Sequence, residues 1–153
     1  MGRSKTPKNI PLRQGKEARN TENPTSIMQQ HPAWNFNRID KEGSWPITET
    51  SAGEDFWSII LPRLSELEKL TWGEILIAAK KGNHSISVET LNQCAQKRLT
   101  ELNLYIDEVV SLRINATYRL YGFLSATTYV LLWYDKGHGD NDTCVCRSHK
   151  KGT

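Results

Sequence analysis

The sequence predicts an α+β domain, an antiparallel sheet of three to five strands with two or three helices packed on one face. Three observations carry that prediction. The run Glu108 to His138 keeps strand alternation through three successive segments. The stretch from about Ser51 to Leu102 spaces its apolar residues at helical intervals instead. The order, helices first and then strands, segregates the two rather than alternating them as a parallel sheet requires.

A chain of 153 residues with 37% hydrophobic and 24% charged residues buries a core without staples. One domain over residues 31–143 is expected, between a disordered basic tail (1–30) and a basic C-terminal tail (144–153). Residues 1–30 lack apolar periodicity, and six of the first nineteen are Lys or Arg against one acid, Glu17. Arg147, Lys150 and Lys151 extend the basic character at the other end. The net charge of +3 is too small to imply nucleic acid by itself. Three cysteines, two of them in Cys144-Val145-Cys146, fit a reducing compartment better than a disulfide framework. With no apolar run near the roughly 20 residues of a spanning helix, a cytoplasmic location is expected. The opening Met1 to Thr6 matches the myristoylation pattern, which is short and common by chance. Asn83, Asn115 and Asn141 head glycosylation sequons that read as idle in such a chain.

The elements follow in order. Trp34, Phe36 and Arg38 alternate with small or polar residues as in a half-buried strand, and Trp45 with Ile47 predicts a return strand after the turn Lys41-Glu42-Gly43-Ser44. Ser51 and Glu54 form a capping-box pattern ahead of Phe56, Ile60, Leu64 and Leu67. Pro62 lies too deep for a first-turn proline, so this helix must kink or be rebuilt there. Thr71 and Glu74 form a second box for a helix to about Ala79, closed by Lys80, Lys81 and Gly82. Ser87 is expected to cap a third helix with the stripe Val88, Leu91, Ala95, Leu99 and Leu102, and Cys94 beside it reads as a small hydrophobe.

Alternation gives the closing strands two sides. Val110, Leu112 and Ile114 share one face with Tyr118, Leu120 and Leu124, and Arg113, Arg119 and Tyr121 fall on the other. A slip of one residue would drive an arginine into the core, so Arg113 must stand opposite Arg119 across a turn containing Asn115-Ala116-Thr117. A hairpin with Ala126-Thr127 at its tip then aligns Tyr129, Leu131 and Trp133 with the core. Tyr134, Lys136 and, if the run continues, His138 join the arginine face.

Two arginines, a lysine, an imidazole and two phenols on one face suit attack of an RNA 2′-hydroxyl on its own phosphodiester. That reaction needs cations aimed at the charge building on phosphorus and a group of near-neutral pKa to move a proton. In this reading Arg113, Arg119 and His138 are catalytic. Tyr121, Tyr134, Lys136, Lys80, Lys81 and His84 bind RNA, and no cofactor or metal is required. The bland reading of the same residues is the solvated face of an antiparallel sheet. Cys144, Cys146, His149 and His138 supply a zinc-like ligand set, but the Cys-x-Cys spacing departs from the usual pattern and a basic tail is favoured.

The pattern Leu112-Arg113-Ile114, a short turn, Tyr118-Arg119-Leu120-Tyr121 and an apolar strand ending at His138 resembles the RelE/ParE toxin superfamily, over about residues 54–138. That resemblance implies a strand, two or three helices and an antiparallel meander. It also implies a ribonuclease acting on messenger RNA at the ribosome and a small antitoxin partner. The chain departs from the family in its long basic N-terminal stretch, in the Gly139-Asp140-Asn141-Asp142 that follows His138, and in lacking a clear counterpart of the glutamate base, for which His84 is the nearby substitute. The alternative is a non-catalytic module of the same fold holding a protein partner, an antitoxin or another target such as gyrase.

Overall fold

The structure is a computed structural model describing residues 27–78, 82–139 and 143–146. Its sheet has five strands in the order β1-β5-β4-β3-β2, where β1 is Ala33–Asn35, β2 His84–Ser87, β3 Glu108–Arg113, β4 Arg119–Ser125 and β5 Thr128–Asp135. All neighbours are antiparallel except β1, which runs parallel to β5. The α+β class and the mostly antiparallel sheet are those the sequence predicts.

A long helical segment precedes β2. It consists of α1 (Glu49–Asp55), a π-helical turn (Phe56–Ile60) and α2 (Leu61–Leu67). Pro62 has no N–H for the carbonyl four residues back, and the π turn, closed by Leu61 N–H donating to Phe56 O, rebuilds the ladder just ahead of it. The cap is one turn earlier than expected, since Thr48 and Ser51 form the reciprocal box. Thr71 and Glu74 do form theirs. Ser87 does not cap the third helix: it ends β2, and Asn92 caps α3 (Gln93–Glu101) by accepting the Cys94 N–H. No return strand forms at Trp45 and Ile47. That stretch is a loop, with Trp45 O accepting the Tyr134 N–H and Asp40 O the Ile47 N–H.

The sheet is covered on both faces. Ile60, Leu64 and Leu67 pack with Val110, Leu112, Leu120 and Leu131 on one side. Leu91, Ala95 and Leu99 of the α3 region pack with Val109, Tyr121, Leu132 and Trp133 on the other. The second layer lies over the face expected to present Arg113, Arg119 and Tyr121, and leaves Arg113 exposed at one corner of it. Packing also runs past residue 143, because Val145 is fully buried in the second cluster. Ile27 and Met28 likewise lie against the first. Among the described residues, no helix is long and apolar enough to cross a membrane.

Candidate functional site

Strand register brings most of the expected side chains to one corner. Arg113 stands opposite Arg119, and Arg119 opposite Asp135. One row further in, His84 stands opposite Ser111, and Ser111 opposite Tyr121. Directly paired residues project to the same side of a sheet, so these six share the α3 face. His138 arrives from the loop after β5, held where its N–H donates to Thr117 O at 3.1 Å.

Each cation has its own mounting. The backbone N–H of Arg113 donates to Asn83 Oδ1 at 2.8 Å, and its carbonyl accepts from Arg63 Nε at 2.9 Å. Its stem lies over Gly82, where a Cβ would come within 2.7 Å of Arg113 Cδ and where φ is +85°. Glycine is therefore required there twice over. Arg119 is only 6% exposed and donates through one terminal nitrogen to Asn115 O (2.7 Å) and Tyr118 O (3.0 Å). Among the described residues its Nε has no hydrogen-bond partner, and neither has Ser111 Oγ or Tyr121 OH. Burial, and then Cys146, push the Tyr121 phenol well above its ordinary value, and neighbouring Ser111 offsets only part of this.

Two residues outside the expected set complete the corner. Asp135, 1% exposed, accepts the N–H of Gly137 and of Val145, both at 2.8 Å. It thereby ties the loop carrying His138 to the segment Thr143–Cys146. Cys146 Sγ consequently lies 3.7 Å from His138 Nδ1. Nothing in the alternation pointed to Asp135, and the cysteine sat in an apparent tail; the one available signal was the apolar Val145 between two thiols.

The electrostatics are those of an incompletely neutralised cationic site. Burial and then the Arg119 charge hold both His84 and His138 below the usual imidazole value, and Asp135 offsets part of this at His138. Burial and then Arg113 lower Arg119, against the pull of Tyr121, Asp135 and Cys146. Burial raises Asp135, in spite of its two N–H donors and the nearby His138 and Arg119. The carboxylate nearest Arg119, that of Asp135, is buried and has both oxygens occupied by backbone donors.

Not every expected residue joins. A β-bulge between Tyr121 and Gly122 inserts Leu132 as an extra residue on β5 and reverses the parity beyond it. Trp133 therefore packs with Tyr121 rather than on the expected core face. Tyr134 turns to the α1 side, where its hydroxyl donates to Asp55 Oδ2 at 3.0 Å. Lys136 follows, donating to Ser51 O at 2.9 Å with Asp55 3.8 Å away. Tyr121 stays on the arginine face but is fully buried, so its ring floors the site and cannot stack on a base. Lys80 and Lys81 lie outside the described residues. Among the described residues no group of three or more His, Cys, Asp or Glu is arranged to hold a metal; His149 lies outside them. A cavity of about 450 Å³ at the opposite end of β3 is lined by Asp107, Glu108 and Tyr105 and, among the described residues, by no basic side chain, which does not suit a phosphate.

No family model, curated protein or solved structure matches the chain.

Proposed function

We propose that the chain cuts RNA by intramolecular transesterification, using Arg113, Arg119, His84 and His138 without a resident metal ion. The observation that carries this reading is the buried Arg119 guanidinium, its Nε unpartnered among the described residues, set among a second arginine and two imidazoles at one sheet corner. The exposed Arg113 guanidinium holds a phosphodiester, and the charge of Arg119 behind it helps to neutralise the charge that grows as the 2′-oxygen bonds to phosphorus. His84 takes the 2′-hydroxyl proton, and His138 donates a proton to the departing 5′-oxygen. The products are a 2′,3′-cyclic phosphate and a free 5′-hydroxyl.

His84 fills the place of the glutamate that the strand pattern lacks. The resemblance of residues 109–138 to the RelE/ParE superfamily adds messenger RNA at the ribosome as substrate and a small antitoxin protein as partner. The test is to incubate the full chain with single-stranded RNA and a metal chelator and to identify the new ends. Cyclic-phosphate ends that disappear in His138→Asn and fall sharply in His84→Asn are expected. Binding without cleavage would instead favour a holding module, and cleavage abolished by the chelator would overturn the mechanism.

A further inference from the structure

We propose that Cys146 is a site of reversible oxidation by peroxides, and that its oxidation closes the arginine corner. Closure of an RNA site rests on the reading above; the oxidation itself does not.

Cys146 is held in place rather than left to roam. Val145 N–H donates to Asp135, the Asn92 N–H donates to Val145 O at 2.9 Å, and Trp45 Nε1 donates to Thr143 O at 2.7 Å. These three bonds from three elements set the thiol beside His138 Nδ1, still partly open to solvent. His138 Nδ1, in contact with the sulfur, is placed to take the thiol proton, and the part-exposed sulfur is within reach of a small oxidant. Arg119 lies close enough for its guanidinium and the Cys146 sulfur to interact electrostatically, so a change at the sulfur is felt at the corner.

The step balances. His138 takes the thiol proton, and the thiolate sulfur attacks one oxygen of the peroxide. The S–O bond forms as the O–O bond breaks, and the departing hydroxide recovers the proton from His138 and leaves as water. Sulfur loses two electrons and the peroxide gains them, giving a sulfenic acid. A small-molecule thiol reverses it, first displacing water to form a mixed disulfide and then, with a second thiol, releasing Cys146. Cys144 is a poor partner for an internal disulfide. It is buried, its thiol donates to Cys146 O at 3.0 Å, and burial pushes it up to about 12. The sulfenic acid therefore stays open to trapping.

The chain contains its own comparator. Cys94 is exposed, and its thiol makes no hydrogen bond among the described residues. The full chain is treated with hydrogen peroxide and a cyclic diketone that adds to sulfenic acids, and labelled peptides are followed by mass. Cys146 should label about tenfold faster than Cys94, and His138→Asn should remove most of that lead without changing Cys94. Equal or faster labelling of Cys94, or a lead that survives His138→Asn, would overturn the site. This readout is indifferent to whether the chain cuts RNA. In a second arm, peroxide should abolish cleavage by the native chain, with recovery on adding a thiol, while Cys146→Ser loses none of its own starting activity. A labelled Cys146 with undiminished cleavage would refute closure.

Discussion

Arg113 and Arg119 face each other across two strands, yet removing them has different consequences. Arg113 is exposed, and its mounting runs through backbone groups that survive truncation. Arg119 is buried and satisfies two carbonyls of the turn it starts from. Arg113→Ala is therefore the cleaner probe, expected to lower kcat/KM by roughly 100-fold with little change in Tm. Arg113→Lys should recover only part of this, because an ammonium cannot reproduce a planar two-pronged contact. Steady-state cleavage beside a melting curve separates the two effects; a loss no larger than that of a distant lysine variant would remove Arg113 from the site. The two imidazoles set the pH dependence. His84 must be neutral to accept a proton and His138 charged to give one, and both are lowered from 6.5, by burial first and Arg119 second. Activity rises as His84 deprotonates and falls as His138 does, so the optimum of kcat/KM lies on the acid side of 6.5. An optimum on the alkaline side would contradict this assignment of roles.

Among the elements, the β4–β5 hairpin decides which residues reach the corner. Its bulge rotates Trp133 onto the α3 face and sends Tyr134 and Lys136 to the other. Gly122 adjoins the bulge at closest backbone approach: an added Cβ would collide with Val130 O and come within 2.8 Å of the Tyr129 ring. Gly122→Ala should cost about 2 kcal/mol or more, read from denaturant unfolding, since backbone and a fully buried ring must give way together. A neutral effect would mean the hairpin can pair without the bulge. The same hairpin marks the limit of what the sequence reveals. The Arg113–Arg119 register was legible because any slip buries a charge. The bulge was not, because Leu131, Leu132 and Trp133 are all apolar and both faces of this sheet are covered, so no polar residue betrays the change of parity. β2 was hidden for the opposite reason: His84-Ser85-Ile86-Ser87 is too polar to announce a strand, and Ser87 and Asn92 are equally plausible caps. The corner was thus half legible. Its arginines and His138 came from parity, and His84 only as the substitute for the glutamate that the family resemblance implies, whereas Asp135 and Cys146 depend on a chain reversal that no local pattern encodes.

At the scale of the whole molecule, the layer over the arginine face is fastened by one carboxylate. Asp40 accepts from Arg98 Nε and a terminal Arg98 nitrogen, both at 2.8 Å, from Trp133 Nε1 at 2.9 Å and from the Glu42 N–H at 3.0 Å. Loop, α3 and β5 therefore meet at a single buried group, and Arg98 extends the link to Glu101 at 3.0 Å. Burial alone would push Asp40 up, but the Arg98, Glu42 and Trp133 donors together bring it below 3.8. A carboxylate lowered on folding stabilises the fold fully above its unfolded value and loses that contribution as pH falls through its folded value. Asp135, raised by burial, acts in the opposite sense: its contribution is present below 3.8 and lost as pH rises through its folded value. Asp40 thus contributes to the acid limb of unfolding while Asp135 opposes it. Asp40→Ala strands an arginine and an indole N–H and should cost roughly 3–5 kcal/mol. Asp40→Asn preserves shape and some of the bonds, so it should cost less while removing Asp40's share of the loss of stability below pH 3.8. Unfolding free energies across acid pH test this directly; an Asn variant whose acid limb retains the native slope would show that another carboxylate fastens the layer.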